Sequence, residues 1–436
     1  MQNRKKVLII TYYWPPAGGA GVHRWLKFTK YLREFGWEPV IFTVQGGETA
    51  VEDQQLLQQI PKGIETIRQP IWEPYALFKR LKGQKKEEKV YSGFINEQGK
   101  SSWKQQLAVF IRGNFFIPDA RMFWIRPSVR KLKQYLVEQP VDLIISTGPP
   151  HSTHRIAYHL RKKTRQPWIA DFRDPWTNID FYDQLRLTPL ADRLHQRMEQ
   201  QVLHRADQVV VISPSMQTEF VALAPNANIT TITNGYDPAD FQERPEVLDP
   251  EFSICHIGSM NKDRNPVLLW QALQNLLSED PQLKEKLKIR LIGKIDHSIL
   301  QSIDSFGLNS YLEKINQLPH QEVLQEMQRS QVLLLAINNT PNAAGILPGK
   351  MYEYMGAQRP ILAIGPPQKD AGKILRKTGA GIMHDYQDLA GIQASLKEMF
   401  QAYLSEELSV DSKGTEQYSR RHLAGKYAQL MDQLIH

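Results

Sequence analysis

The stretch VLIITYYWPPAGGAGVHRWLKFTKYLREF, residues 7–35, decides the fold. Its apolar, β-branched beginning predicts a strand over Val7–Tyr12, and the spacing of the apolar residues after the turn predicts a helix over Val22–Phe35. Two prolines and three glycines make the turn between them. A strand, a glycine-rich turn and a helix in this order begin a doubly wound α/β domain.

The same alternation of short strand and longer helix recurs along both halves of the chain. Strands are predicted over Val7–Tyr12, Pro39–Thr43, Leu143–Ser146, Trp168–Asp171, Val209–Ile212, Thr230–Thr233, Ser253–Ile257, Lys288–Ile292, Val332–Ile337 and Pro360–Ile364. Helices are predicted over Val22–Phe35, Ser152–Lys163, Asp192–His204, Pro266–Leu277, His320–Arg329 and Gly349–Gly356. This order predicts parallel sheets in two Rossmann-like domains. The turn-rich Asn234–Asp237 sets the boundary between a domain over 1–235 and a domain over 236–415.

Composition limits the function classes. The 436 residues carry 54 Lys and Arg against 46 Asp and Glu, and the excess lies in residues 1–245, which sum to +10, whereas residues 246–436 sum to −2. A basic first domain favours anionic partners. The single cysteine, Cys255, excludes an intramolecular disulfide and a cysteine-based zinc site, and it predicts a cytoplasmic protein. No run of about 18 apolar residues occurs, so no transmembrane helix is predicted.

An insertion at about 79–130 interrupts the first domain. Its basic run of Lys82, Lys85, Lys86 and Lys89 is interpreted as a solvated loop, although the same lysines could attract anionic lipid headgroups. The following stretch, Trp103–Arg130, interleaves aromatic residues with arginines. This pattern favours core packing with solvated arginines, although it also suits a membrane–water interface.

Charged and polar side chains follow two predicted strands of the first domain. Asp171, Arg173 and Asp174 come at the end of one strand, where open α/β sheets place their ligands. A carboxylate there could accept a proton from an attacking hydroxyl, and Arg173 could orient or neutralise that carboxylate. Alternatively, the three residues could form an ion network that holds a loop. His151 and His154 follow the neighbouring strand and are candidates for substrate contact, although a histidine in a loop is more often a surface residue.

The glycine-rich turns predict anion contacts. Gly18 and Gly19 precede the first helix, whose free N–H groups favour an anion, although the same glycines also suit a tight turn. In the second domain Gly258 and Ser259 follow a strand, and Arg264 lies at the start of the next helix. The G-x-G-x-x-G and G-x-x-x-x-G-K-[ST] patterns are absent, which disfavours hydride transfer and P-loop hydrolysis.

The segment LPGKMYEYMG, residues 347–356, carries the most information in the second domain. Pro348 and Gly349 begin a short helix, Lys350 lies in its first turn, and Glu353 follows three residues later. The lysine suits the negative charge of a diphosphate, and the glutamate suits the hydroxyl groups of a sugar. The alternative is that the two side chains only form a salt bridge with each other and bind no ligand.

Together, the Pro-Pro-Ala-Gly-Gly turn, Thr233–Asp237, Gly258 and Pro348-Gly349-Lys350-x-x-Glu353-Tyr354 resemble the retaining nucleotide-sugar-dependent glycosyltransferases of the GT-B fold, family 4 (glycosyl transferases group 1). The resemblance spans nearly the whole chain. It implies two facing Rossmann-like domains with an interdomain cleft, the acceptor held by the N-terminal domain and the nucleotide sugar by the C-terminal one. A last helix, within 416–436, would cross back to the N-terminal domain.

The resemblance also implies roles for individual residues. Glu353 matches the second glutamate of the family's E-x7-E motif, which contacts the ribose, whereas the first falls at Gly345 and supplies no carboxylate. The family's phosphate-binding Arg and Lys correspond to Ser259 and Arg264, so Lys350 would compensate for the lost cation. Many relatives have a histidine where this chain has Arg173, which is similar to the surface-polysaccharide branch.

The implied reaction is hexosyl transfer (EC 2.4 class) with retention and without a metal or other cofactor. Arg264 and Lys350 would stabilise the leaving diphosphate. Asp174 or Asp171 would orient or deprotonate the acceptor hydroxyl, or the leaving phosphate would take the proton in a same-face attack. The expected partners are a nucleotide-sugar donor, a glycan or lipid-linked acceptor and an anionic membrane surface, with no nucleic acid. The protein would be cytoplasmic or peripheral on the inner face of the membrane. A nucleotide-sugar 2-epimerase and a catalytically silent binding protein are the alternatives.

Overall fold

The computed structural model describes residues 4–49, 52–73, 103–179, 182–243 and 247–435. The lysine run of the insertion, Lys82 to Lys89, lies outside these residues. The chain divides into two compact units, one formed by Met1–Thr233 with Leu423–His436 and the other by Asn234–His422.

The first unit is built on a seven-stranded parallel sheet. Its strands are β1 (Lys5–Ile10), β2 (Trp37–Gln45), β3 (Glu65–Pro70), β4 (Leu143–Gly148), β5 (Trp168–Phe172), β6 (Gln208–Val211) and β7 (Ile229–Thr231). The order in the sheet is β3-β2-β1-β4-β5-β6-β7. Its helices are α1 (Ala20–Leu32), α2 (Trp103–Phe115), α3 (Met122–Glu138), α4 (Ser152–Thr164), α5 (Pro189–Arg205) and α6 (Pro214–Leu223). The strand order reverses between β1 and β4, so the crevice outside their carboxyl ends is the expected ligand position.

The second unit repeats this plan with six parallel strands. They are β8 (Phe252–Ile257), β9 (Leu287–Ile292), β10 (Leu312–Ile315), β11 (Val332–Ala336), β12 (Ile361–Ile364) and β13 (Gly381–His384), in the order β10-β9-β8-β11-β12-β13. Its helices are α7 (Val267–Glu279), α8 (Pro281–Lys286), α9 (His297–Ser305), α10 (His320–Arg329), α11 (Gly349–Ala357), α12 (Asp370–Thr378) and α13 (Leu389–Leu404). Here the order reverses between β8 and β11.

The predicted fold class, α/β with two doubly wound parallel sheets, is confirmed. The central strands are buried on both faces: all six residues of β4 and all six of β8 are buried. Three strands were not predicted, namely β3, β10 and β13. All three are edge strands and are only partly buried, so their sequences, ETIRQP, LEKI and GIMH, lack the continuous apolar run of the central strands.

The last helix, α14 (Arg420–Ile435), contributes its buried face to the first unit. Leu423, Ala424, Tyr427 and Met431 join the apolar cluster formed by one face of β1 and by α1. The Asp432 carboxylate accepts from Lys5 Nζ at 2.8 Å and from Trp37 Nε1 at 3.1 Å. Polar contacts at β1 and at the start of β2 therefore add to the apolar contacts that hold this helix.

The aromatic stretch in α2 and α3 divides into buried and exposed members. Trp124 is fully buried and stacks on Phe42 in the core, as the core-packing interpretation predicts. That interpretation is wrong for Phe115 and Phe123, which are 67% and 43% exposed, and for Trp103, at 69%. No helix in the described part of the chain is long and apolar enough to span a membrane.

Candidate functional site

Two cations lie at the carboxyl end of β8 in the second unit. Lys350, in the first turn of α11, places its Nζ 3.0 Å from the position that a Cβ on Gly258 would occupy. Arg264 donates from Nη1 to the Ser259 carbonyl at 3.1 Å and from Nε to Asn338 Oδ1 at 2.5 Å. The predicted residues Gly258, Ser259, Arg264 and Lys350 are therefore brought together beside the point where the strand order reverses.

The environment of Lys350 disfavours its charged form. Burial lowers the pKa of Lys350 to about 7, the charge of Arg264 acts in the same direction, and Glu353 opposes both. Lys350 and Arg264 repel each other next to a glycine that has no side chain. Binding of an anion between them would therefore be favourable, because it would offset this repulsion. The geometry is therefore suited to a diphosphate.

Glu353 lies one turn further along α11 and is partly exposed. Its carboxylate has no hydrogen bond or ion pair to any residue in the described ranges. The next residue, Tyr354, is fully buried, and its hydroxyl accepts from the backbone N–H of Ile257 at 3.0 Å. That bond ties α11 to the end of β8 and fixes where Lys350 and Glu353 stand relative to Gly258.

Glycines follow both β8 and β9 at the carboxyl end of the sheet, so neither position has a side chain to fill the space directly after its strand. Gly258 and Gly293 end β8 and β9 with φ values of +105° and +116°, which side chains disfavour. A Cβ on Gly293 would lie 2.8 Å from the Gly258 carbonyl oxygen. The two glycines allow the strand ends to approach closely and leave the space above Gly258 to Lys350.

Gly345, where the family motif has its first glutamate, lies in a short 3-10 turn, Ala343–Gly345, after β11. The polar side chains of this loop belong to Asn338, Asn339, Thr340 and Asn342. Asn338 holds Arg264, and Thr340 donates to Asn342 Oδ1 at 2.9 Å. Amide and backbone groups, instead of a carboxylate, therefore stand between β11 and α11.

In the first unit, Asp171 is fully buried and saturated with hydrogen bonds. It accepts from Arg24 Nη2 at 2.9 Å, Trp25 Nε1 at 2.8 Å, Thr147 Oγ1 at 2.8 Å and the Tyr427 hydroxyl at 2.5 Å. Burial alone would raise the pKa of Asp171, but the Arg24 charge and these bonds lower it. The expectation that Asp171 handles an acceptor proton is therefore corrected: no oxygen is free to accept one, and the residue is a structural ion-pair partner.

Arg173 and Asp174 lie at the edge of the same sheet in different settings. Arg173 donates from Nη1 to the Gly21 carbonyl at 2.9 Å and from Nη2 to the Pro149 carbonyl, so it joins the first turn of α1 to the loop that follows β4. A Cβ on Gly21 would lie 2.7 Å from Arg173 Nη1, so the glycine makes room for the guanidinium. Asp174 is exposed and is the strand-end carboxylate open to solvent.

His151, the N-cap of α4, and His154, in its first turn, are buried, so the expectation of surface loop histidines is wrong. The His151 ring stacks on Trp176 with centroids 4.4 Å apart, and His154 stacks on Phe172 at 4.3 Å. His154 Nδ1 pairs with Ser146 Oγ at 2.8 Å. Within the described part of the chain, His151 Nδ1, His154 Nε2 and Arg173 Nε are buried and have no hydrogen-bond partner. Such atoms call for a ligand or an ordered water.

The buried histidines predict acid sensitivity. Burial lowers the pKa of His154 to about 3, whereas an unfolded histidine titrates near 6.5. Because the unfolded chain binds this proton first, the stability that His154 contributes is complete above pH 6.5 and falls below it by about 1.4 kcal/mol per pH unit. Denaturant unfolding between pH 7 and 4.5 should show at least this slope, because other buried histidines with a lowered pKa, such as His151, add to it, and His154→Asn should make the slope shallower by about one proton. An unchanged slope in the variant would contradict the assignment.

Gly18 and Gly19 lie in the turn that leads from β1 into α1. Gly19, at φ +87°, caps the helix without a side-chain hydrogen bond, and no acidic residue occurs in the first turn. A helix start without a capping side chain or an acidic residue is compatible with the predicted phosphate contact. Among the described residues, no group of three or more His, Cys, Asp or Glu side chains is arranged to hold a metal ion.

Two Rossmann-like units, one with a cation pair at the reversal of its strand order, define the class of GT-B glycosyltransferases, which transfer a sugar from a nucleotide sugar. The particular family follows from the sequence. Residues 18–235 match the Glycosyl transferase 4-like domain, so the chain belongs to that family. No curated protein matches the chain.

Several solved structures share the fold over nearly the whole chain. Sucrose-phosphate synthase from Thermosynechococcus elongatus is 14% identical, with 99% of each chain covered and a TM-score of 0.63. The Anabaena protein HepE, solved with UDP-glucose, is 14% identical, with 99% of this chain and 98% of that chain covered and a TM-score of 0.56. WaaG, a glycosyltransferase involved in lipopolysaccharide biosynthesis, is 11% identical, with 98% and 99% covered and a TM-score of 0.53.

Proposed function

We propose that the protein is a retaining hexosyltransferase that moves a sugar from a nucleoside-diphosphate sugar to a hydroxyl of a lipid-linked glycan in cell-surface polysaccharide biosynthesis. The observation that carries the proposal is the cluster at the carboxyl end of β8, where Lys350 and Arg264 flank Gly258 and Glu353 lies one turn away. Cations, open backbone and an unpaired carboxylate match the diphosphate and ribose of a nucleotide sugar.

The second unit, residues 236–415 in the predicted division, binds the donor in this proposal. As the bond to the anomeric carbon breaks, the diphosphate gains negative charge, and Lys350 and Arg264 stabilise it in place of a metal ion. Glu353 accepts hydrogen bonds from the ribose hydroxyls. The amide-rich loop Asn338–Gly345 contacts the sugar hydroxyls that the missing glutamate at Gly345 would otherwise hold.

The first unit binds the acceptor. The buried, unsatisfied nitrogens of His151, His154 and Arg173 lie at the ends of β4 and β5, where a polar ligand or ordered water would satisfy them. Asp174 is exposed at this edge and orients the acceptor hydroxyl. The leaving phosphate takes the proton in a same-face attack, because Asp171 has no capacity for it. Gly18 and Gly19 offer backbone N–H groups to a substrate phosphate.

Transfer assays test the proposal. The protein should release nucleoside diphosphate from one nucleotide sugar only when a glycan acceptor is present, with the α or β configuration of the donor kept in the product and with no loss in EDTA. Glu353→Gln should raise the KM for the donor about tenfold, since it loses a charged acceptor to the ribose. Sugar isomerisation without an acceptor would indicate an epimerase, and binding without release would indicate a silent protein.

The lipid-linked acceptor is supported by an exposed aromatic patch, defined as Trp72 and Phe123. Trp72 is 62% exposed and contacts Phe123 edge to face at 4.9 Å. Arg126 and Arg130, on the same helix as Phe123, are exposed as well. Aromatic rings with basic neighbours suit an anionic headgroup region, and WaaG offers a precedent of the same fold in surface-glycan synthesis.

Vesicle binding tests the patch. The double variant Trp72→Ser, Phe123→Ser should bind vesicles of anionic phospholipid at least about tenfold more weakly than the wild type, because each ring buries apolar area in the interface. Val137→Ser, which removes an exposed side chain at the other end of α3, is the matched control and should bind normally. Equal binding of all three proteins would remove the patch from the proposal.

A further inference from the structure

One buried side chain of the second unit faces Lys350, the cation that would bind the diphosphate, and does not belong to any of the family motifs. His256 lies in β8, two residues before Gly258, and is fully buried. Its Nδ1 lies 3.0 Å from the carbonyl oxygen of Leu334 in β11, and its Nε2 lies 3.2 Å from Lys350 Nζ. One ring therefore joins the two strands at which the sheet order reverses to the cation above them.

The partners of the ring fix its protonation state. A carbonyl can only accept, so Nδ1 carries the proton, and Nε2 is then a free acceptor facing an ammonium donor. Burial lowers the pKa of His256 well below its ordinary value, the charges of Lys350 and Arg264 act in the same direction, and hydrogen bonds with the backbone of Leu334 and Ser259 oppose them. The ring therefore stays neutral at physiological pH, and its lone pair remains available to Lys350.

We propose that His256 is a positioning residue: its neutral Nε2 accepts a hydrogen bond from the Lys350 ammonium and so holds this cation over Gly258 for the incoming diphosphate. The inference rests on the proposed function. The other charged groups that face Lys350 are Arg264, from the 3-10 turn Lys262–Arg264, and Glu353, from its own helix. Arg264 and burial favour the neutral amine, so the acceptor on His256 helps to retain the proton and to orient the charge.

This arrangement links binding of the diphosphate to pH. The anion binds the ammonium form, and burial lowers the pKa of free Lys350 to about 7. The affinity that depends on Lys350 should therefore be complete below pH 7 and should decrease about tenfold per pH unit above it, until the pKa of the complex is reached. Loss of the His256 acceptor should move this decrease to lower pH.

Inorganic pyrophosphate serves as a probe that does not depend on the nucleotide base. Its dissociation constant is measured by calorimetry from pH 6 to 9 for the wild type, His256→Gln, His256→Met and Lys350→Met. Glutamine and methionine have similar length and both lose the bond to Leu334, but glutamine keeps an oxygen acceptor for Lys350. Ratios of dissociation constants at each pH cancel the titration of pyrophosphate itself.

We expect His256→Met to bind about tenfold more weakly at pH 7.5 and its pH step to lie about one unit lower, whereas His256→Gln should stay within about threefold of the wild type. Equal weakening of both variants without a moved step would overturn the positioning role, because a structural defect has that effect. Normal binding by both would overturn it as well. If Lys350→Met also binds normally, the proposed phosphate site fails, and this outcome differs from a failure of His256 alone.

Discussion

Asp171→Ala should lower the free energy of unfolding of the first unit by about 3–5 kcal/mol, because it leaves a buried guanidinium without its counter-charge. Arg24 is fully buried, and its Nε and Nη2 both donate to Asp171. The indole of Trp25, the hydroxyl of Thr147 and the hydroxyl of Tyr427 would lose their acceptor in the same step.

Asp174→Ala is the matched control. It makes the same chemical change three residues further along the chain, at a position where the side chain is exposed. Its effect on stability should stay within about 0.5 kcal/mol, the usual range for surface substitutions. Denaturant unfolding followed by tryptophan fluorescence compares the two variants directly. Equal stability of Asp171→Ala and Asp174→Ala would contradict the structural assignment of Asp171.

Lys350→Met should reduce kcat/KM for the nucleotide-sugar donor by about 100- to 1000-fold, and Arg264→Gln should act in the same direction. Both side chains would meet the diphosphate as it acquires charge in the transition state, so kcat should decrease together with kcat/KM. Steady-state kinetics of nucleoside diphosphate release measures both constants. Methionine preserves the length of the lysine side chain, which keeps α11 packed on β8.

Lys397→Met is the control for the loss of one positive charge. Lys397 is exposed on α13 in the same unit, so its removal changes the net charge equally but leaves the carboxyl ends of β8 and β11 unaltered. Its kinetics should match the wild type. If all three variants keep wild-type turnover, Lys350 and Arg264 do not form the phosphate site.

The fold was largely predictable because the central strands have an unambiguous signal. Strands such as β4 and β8 are continuous apolar runs, since helices cover both of their faces. The edge strands β3, β10 and β13 lack this signal, because each of them has a neighbouring strand on one side only. A parallel edge strand with a sequence such as LEKI is recognisable only from its pairing with β9, which the sequence does not state.

The candidate site was predictable where chain order alone brings residues together. Gly258, Arg264, Lys350 and Glu353 follow strands or begin helices whose ends meet at one sheet edge. Asp171 was misassigned because a carboxylate at a strand end has the same local sequence whether it faces a ligand or a buried arginine. Its partner Arg24 is 147 residues away, and Tyr427 is 256 residues away.

His256 was missed for a related reason. A histidine within an apolar strand, FSICHI, reads as a core residue, and its fully buried ring agrees with that interpretation. Its contact with Lys350 joins residues 94 positions apart in the chain. The sequence contains one weak signal. Residues two positions apart in a strand lie on the same face of the sheet, so His256 lies on the same face as Gly258, the residue that follows β8 at the predicted site.

Thermal unfolding with a panel of nucleoside diphosphates tests the central claim, that the second unit holds a nucleotide sugar by the Lys350–Arg264 cation pair. The wild type should be stabilised selectively by one nucleoside diphosphate, equally with and without EDTA, by about 2.7 kcal/mol at 100 times the dissociation constant. Lys350→Met at the same ligand concentration should lose most of this shift. Stabilisation of the variant to the same extent as the wild type, or of neither protein by any member of the panel, would contradict the account.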